Sequence, residues 1–259
     1  MDREVQNTDC PNLVSAQEER LVAMIVKRVL ELCEKYLPGS SHTLIYIHIG
    51  KCGGSSLNSA ISASQRLADE FRYITRVHIE KPEFRPSARY LIVLRNPISR
   101  ALSAFNWRYR LVVEESSQDS RFSGEFDVLR KYGTMNSLAE NLYVGGELDE
   151  GVADDFRTIH HLKEDISFYL SDLLEELASK QIFGVLMQEN LDSDIEALLG
   201  VVNETRINSN RPAENSEKLY LSEIARSNLK TFLNADYEAI MSLDALYPIG
   251  AERLVELLA

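Results

Sequence analysis

Apolar positions along the chain alternate between two periods. Thr43–Ile49, Arg72–Val77, Arg89–Leu94 and Gln181–Met187 are short runs of aliphatic, β-branched and aromatic residues, and each predicts a strand. Arg89–Leu94 is apolar through its centre, as suits a parallel strand buried on both faces. Other segments repeat at helical spacing. Ser15-Ala16-Gln17-Glu18 is a capping-box pattern, and Leu21, Met24, Ile25, Val29, Leu32 and Cys33 follow as one stripe. They predict a helix to about Tyr36, ended by Pro38-Gly39. Ser55–Leu67 predicts the next. Beyond the third strand Asn96 can cap a helix that has Pro97 at its first position and Ile98, Ala101, Leu102, Phe105 and Tyr109 on its apolar face.

The remainder reads more coarsely. Glu80–Ala88, broken by Pro82 and Pro86, is a loop, and Ser116–Gly124 is a polar surface loop. Phe126–Gly146 holds one or two short helices. His160–Leu177, Leu191–Leu199, Glu217–Leu233, Ala235–Leu243 and Gly250–Leu258 predict helices, and Asn203–Asn215 a loop. Strands alternating with helices predict an α/β fold: a central parallel sheet flanked by helices, with extra N-terminal and C-terminal helices. One domain over residues 1–259 is expected, with a helical segment at 1–40, a core at 43–110 and a helical remainder at 111–259.

Charge sharpens this picture. The 259 residues carry a formal net charge of −12, which argues against general nucleic-acid binding. Residues 51–110 nevertheless carry a net +7, with 11 Lys and Arg against 4 Asp and Glu, so the rest carries −19. A basic segment in an acidic chain suits an anionic ligand. Cys10, Cys33 and Cys52 have no metal-ligand spacing and suggest a reducing compartment. No apolar run reaches the roughly 20 residues of a membrane helix, and Met1–Pro11 lacks a secretory hydrophobic core. A cytoplasmic location is expected, and the first helix allows a homodimer contact.

The basic segment begins with the stretch His48-Ile49-Gly50-Lys51-Cys52-Gly53-Gly54-Ser55-Ser56-Leu57, a loop between strand and helix. The glycines let backbone approach a ligand, and the helix start offers unpaired N–H groups to an anion. Lys51 stands at the mouth. These features suit a phosphate-like or sulfate-like group. The second basic stretch, Leu94-Arg95-Asn96-Pro97-Ile98-Ser99-Arg100-Ala101-Leu102-Ser103, puts Arg95 at a strand end and Ser103 two turns along the next helix, on the face of its cap. Together they can hold one phosphate from two sides. In each case the plainer alternative is structural: a tight turn with an exposed lysine, and a surface serine beside an arginine paired with a carboxylate.

Taken together, the stretches resemble the PAPS-dependent sulfotransferases. The first is similar to that family's 5′-phosphosulfate loop, especially its His-Ile-Pro-Lys-Thr-Gly-Gly-Thr-Ser-Leu form, and the second to its 3′-phosphate motif. Gly50 departs from the usual proline and Cys52 from the usual threonine or serine. Weaker likeness continues through Ile182–Glu189 and Asn234-Ala235-Asp236-Tyr237. The resemblance implies a P-loop-NTPase-like sulfotransferase fold. It also implies transfer of a sulfuryl group from 3′-phosphoadenosine 5′-phosphosulfate (PAPS) to an acceptor hydroxyl or nitrogen, releasing 3′,5′-ADP. Under it, Lys51, Cys52, Gly53, Gly54, Ser55 and Ser56 hold the 5′ end, and Arg95 with Ser103 the 3′-phosphate. Arg211 is a further candidate there. No metal is expected, because protein cations do the neutralising.

The acceptor must lose a proton. His78 follows the second strand at the carboxyl edge where open α/β sheets bind ligands, so it is the candidate base, with Glu80 in reserve and a structural histidine as the alternative. His48 is expected to be a packed strand residue. Trp107 and Tyr109 are expected in the core rather than stacked on adenine. His160 and His161, taken as helical neighbours, face apart and do not suggest a metal. The acidic stretch Leu111–Gly200, with Glu114, Glu115, Asp149, Glu150, Asp154 and Asp155, is expected on the acceptor side or as a solvated surface. It allows a cationic or polar small metabolite of bacterial secondary metabolism, and a carbohydrate is the other acceptor class. Two rivals remain. A P-loop nucleotide kinase needs its lysine after the glycines, whereas Lys51 precedes them, and a non-catalytic nucleotide-binding protein needs no base.

Overall fold

In a computed structural model of the chain, residues 42–202 and 219–259 are described. They belong to one compact unit, Ser41–Ala259. The predicted first helix, Cys10, Cys33, the 203–215 loop and Arg211 lie outside the described residues.

Four parallel strands form the central sheet: β1 (Thr43–Ile47), β2 (Tyr73–Val77), β3 (Ala88–Leu94) and, after a hairpin of β4 (Tyr143–Val144) with β5 (Glu147–Leu148), β6 (Ile182–Met187). Their order is β2-β1-β3-β6. The two inner strands, β1 and β3, are almost wholly buried, whereas the edge strand β2 exposes Tyr73, Ile74 and Arg76. The other edge strand, β6, is as buried as the inner pair, so exposure belongs to the β2 edge alone.

The helices are α1 (Gly54–Ala63), α2 (Gln65–Glu70), α3 (Pro97–Tyr109), α4 (Glu125–Tyr132), α5 (Met135–Glu140), α6 (Glu150–Thr158), α7 (Ile166–Glu176), α8 (Leu191–Leu199), α9 (Glu223–Phe232), α10 (Asn234–Leu246) and α11 (Ala251–Leu258). One apolar cluster packs the sheet against residues of α1, α7, α8 and α10. A second joins α3, α4, α5, α6 and α9 beyond it.

Several boundaries differ from expectation for local reasons. The helix expected over Ser55–Leu67 breaks at Ser64, whose buried hydroxyl accepts from Leu67 N–H at 3.3 Å and donates to the Leu199 carbonyl at 2.7 Å. Two short helices, α4 and α5, and the start of the small hairpin occupy Phe126–Gly146. The helix expected from His160 begins only at Ile166, where Asp165 caps it. His160 and His161 sit instead in the turn after α6, a helix that Asp149 caps and the periodicity did not show. Arg100 donates from Nη2 to the carbonyls of both His161 (at 2.7 Å) and Glu164, and those two bonds hold the turn out of helix. Asn96 caps α3 as expected, accepting from Ser99 N–H at 2.9 Å with Pro97 next in line.

Candidate functional site

A cleft of about 780 Å³ opens at the carboxyl edge of the sheet, a size that admits a nucleotide. The loop between β1 and α1 forms one wall and α3 the other. The loop is a strained turn: Lys51 has φ +70° and Gly53 φ +85°. Positive φ is rare outside glycine and is retained where surrounding structure enforces it. Here Cys52 N–H donates to the Ile49 carbonyl, and Arg95 Nη1 donates to the Lys51 carbonyl at 3.1 Å. Arg100, only 2% exposed, donates from Nε to the Gly50 carbonyl at 3.0 Å.

Both loop glycines are sterically required. A Cβ on Gly53 would overlap Gln188 and Leu191, and one on Gly54 would overlap the imidazole of His48. Helix α1 starts there. Leu57 N–H is the first to bond back, to the Gly53 carbonyl at 3.2 Å, so the N–H groups of Gly54, Ser55 and Ser56 have no acceptor within the helix. These three residues line the cleft with Lys51, and the helix end adds partial positive charge. Arg95, whose guanidinium bonds the Lys51 carbonyl, and Ser103 line the same cleft. Among the described residues no Asp or Glu lines it.

Cys52 corrects an expectation. Its side chain is fully buried in the sheet core and its N–H is used within the turn, so it offers neither group to a ligand. Burial pushes the thiol up to about 12, against the pull of Arg100 and Arg95, which keeps it protonated. Gly50 does not loosen the loop. The ring of His161 packs on it so closely that a Cβ at position 50 would overlap Nδ1.

Histidines gather where single roles were expected. His48 lines the cleft rather than packing in the core. Its ring stacks on Tyr46 at 5.5 Å and on His78 at 4.4 Å. His78 in turn lies 5.7 Å from His161, which lies 3.9 Å from His160. Burial lowers His48 to about 4, with His78 and Arg76 adding repulsion. Burial likewise lowers His160 to about 4 and His161 to about 2, and neighbouring cations, Lys51 among them for His161, contribute. All three are therefore neutral at pH 7. His78 Nδ1 lies 2.9 Å from the His48 carbonyl, which can only accept. Nδ1 therefore carries a proton, and the lone pair of the neutral ring belongs to Nε2. Glu80 is exposed and does not line the cleft.

Trp107 is the other correction: it faces the cleft, with Lys51 Nζ 4.4 Å above its ring and His161 5.4 Å away. Behind it Arg108 and Glu125 form a buried ion pair, Nε to Oε1 at 2.9 Å and Nη2 to Oε2 at 2.6 Å. Glu125 Oε1 also accepts from His160 N–H at 2.8 Å, so this pair anchors the histidine turn. Sequence reasoning missed Arg100 and Arg108. Their signal was present: with Ala104 they recur every four residues along α3, charges placed on a stripe that also buries Ala101 and Phe105. Of the acidic residues proposed for the acceptor side, Asp154 pairs with Arg157, and Asp155 binds Lys131 and Tyr132. None of that group lines the cleft.

Comparison with known proteins adds no relative: no protein-family model, no curated protein and no solved structure matches the chain. Among the described residues no cluster of three or more metal-ligating side chains occurs, and no helix is long and apolar enough to cross a membrane.

Proposed function

We propose that the protein is a sulfotransferase of P-loop-NTPase-like fold that moves a sulfuryl group from PAPS to a hydroxyl or nitrogen of a small molecule or saccharide. The observation that carries this reading is the gathering of Lys51, Arg95 and a helix N-terminus in one cleft that, among the described residues, no carboxylate lines. Lys51, the α1 N-terminus, Arg95 and Ser103 all line it. The residues present fit such a donor. The helix N–H groups and the two cations line the cleft, and its volume suits a nucleotide.

In this reading Ser55, Ser56 and the α1 N–H groups hold the 5′-phosphate. Arg95 and Ser103 hold the 3′-phosphate, with charge-assisted hydrogen bonds supplying the grip. His78 Nε2 takes the proton from the acceptor hydroxyl as its oxygen bonds to sulfur. The bond from sulfur to the bridging phosphate oxygen breaks, and its electron pair stays with 3′,5′-ADP. Lys51 and the helix N-terminus stabilise the charge that develops on that oxygen. The balance is one sulfate ester, one 3′,5′-ADP and one proton released to solvent. The kinase rival is weaker, since Lys51 precedes the glycines and no carboxylate among the described residues lines the cleft to hold a magnesium ion. A co-crystal with 3′,5′-ADP tests the reading: the nucleotide is expected to lie between Lys51 and Arg95, and any other position refutes it.

A further inference from the structure

A second groove, about 490 Å³, is lined by α1, the helix whose start lines the cleft. Its floor is built from Tyr46 of β1 and from Ile74 and Arg76 of β2. Asn58, Ile61 and Ser62 of α1 form its side. Tyr46 and Arg76 are direct partners in the parallel register. Strand alternation puts Ile74 and Arg76 on one face, and His78 comes two residues further, about 6.6 Å along the chain. The rings of Tyr46, His48 and His78 stack in succession, so His48 alone stands between the groove's tyrosine and the candidate base.

Two features of the groove are unexplained by the fold. Tyr46 is 1% exposed, yet its hydroxyl has no hydrogen-bond partner. Buried hydroxyls are normally satisfied, so one aimed into a groove marks a place for a ligand atom. Burial also raises its pKa, so the group is a donor. Arg76 is exposed at the groove and forms no ion pair with any described residue. A donor hydroxyl beside a guanidinium selects an anionic oxygen group, and Ile61 and Ile74 offer it an apolar neighbour.

We propose that this groove is the outer part of the acceptor site. Tyr46 and Arg76 bind an anionic substituent of the acceptor, a carboxylate or sulfate ester, while its apolar body lies along β2 and its reacting hydroxyl reaches His78. The proposal rests on the sulfotransferase reading for the acceptor's role, and it reverses the cationic acceptor expected from the acidic segment.

The test uses two probes of one shape and opposite charge, 4-hydroxyphenylacetate and tyramine, titrated calorimetrically into the full chain with and without 3′,5′-ADP. The carboxylate is expected to bind at least tenfold more tightly than the amine. Arg76→Gln should abolish that preference, and Tyr46→Phe should weaken the carboxylate several-fold, both with unfolding midpoints near that of the wild type. Equal binding of the two probes, or a preference that survives Arg76→Gln, overturns the proposal. Carboxylate binding that 3′,5′-ADP displaces also overturns it, because the probe then sits in the nucleotide cleft. Failure of 3′,5′-ADP itself to bind refutes the sulfotransferase reading instead, and the titration without nucleotide still decides whether the groove takes an anion.

Discussion

Lys51 Nζ stands 4.4 Å over the ring of Trp107, and Trp107 is the single tryptophan of the chain. A cation held against an aromatic face gains roughly 0.5–2 kcal/mol, so an incoming phosphate competes with the ring for the ammonium. Emission from this protein therefore reports directly on the cleft. Adding 3′,5′-ADP is expected to change it saturably. Lys51→Ala should shift the starting emission and weaken nucleotide binding by about 1.5–3 kcal/mol, the usual worth of a charged hydrogen bond. It should abolish turnover without unfolding the chain. An emission spectrum indifferent to saturating nucleotide would separate Trp107 from the ligand.

Gly50 and His161 should behave as a coupled pair. A methyl group at position 50 meets the imidazole, so Gly50→Ala should cost about 1–3 kcal/mol, the range for overpacking. His161→Ala makes room for it. In the His161→Ala background most of the cost of Gly50→Ala should disappear, a coupling of about 0.5–3 kcal/mol in denaturant unfolding. Strict additivity would deny the contact.

Breaking the buried pair of Arg108 and Glu125 should be severe. Glu125→Ala leaves a guanidinium buried and the His160 N–H without its acceptor, and a loss of about 3–5 kcal/mol is expected. Chemical denaturation measures it, and a loss below about 1 kcal/mol would contradict the pairing.

The pH dependence of stability has two opposed parts. Folding lowers His48 and His160 to about 4 and His161 to about 2, so the unfolded chain binds their protons first. Their effect on stability is unfavourable on acidification, growing as pH falls from the unfolded value near 6.5 toward those lower values. Asp236 acts in the other direction. It is 1% exposed, and burial together with Asp165 raises its carboxyl to about 7. The folded state then keeps a proton that the unfolded state loses near 4, so stability falls as pH rises from about 4 to about 7 and levels off above. Asp236→Asn should remove this loss between about pH 4 and 7 and leave the histidines' acid sensitivity uncovered in the unfolding midpoint. His161→Asn should reduce the acid sensitivity below pH 6.5.

The sheet was legible because each strand is a short apolar run between breakers, and Asn96-Pro97 marks a helix start by chemistry that tertiary contacts did not override. The loop lysine and glycines were legible for the same reason: a backbone that must turn sharply beside a helix start admits few residues. What could not be seen depends on contacts between distant segments. His161 meets Gly50 only because Arg100 fastens its turn, and Trp107 faces Lys51 only because α3 crosses the loop. Cys52 was misjudged because its position beside Lys51 says nothing of its direction, which is into the core. Arg100 and Arg108 show the limit of reading charges as surface: both are buried, each held by several acceptors.

Calorimetry of 3′,5′-ADP against 5′-AMP and ATP, in the wild type and in Arg95→Ala, tests the central claim most directly. The nucleotide with both phosphates is expected to bind at least tenfold more tightly than 5′-AMP, and Arg95→Ala should bring the two together by removing a charged hydrogen bond of about 1.5–3 kcal/mol. Equal affinity of the wild type for 3′,5′-ADP and 5′-AMP, or tighter binding of ATP, would contradict it.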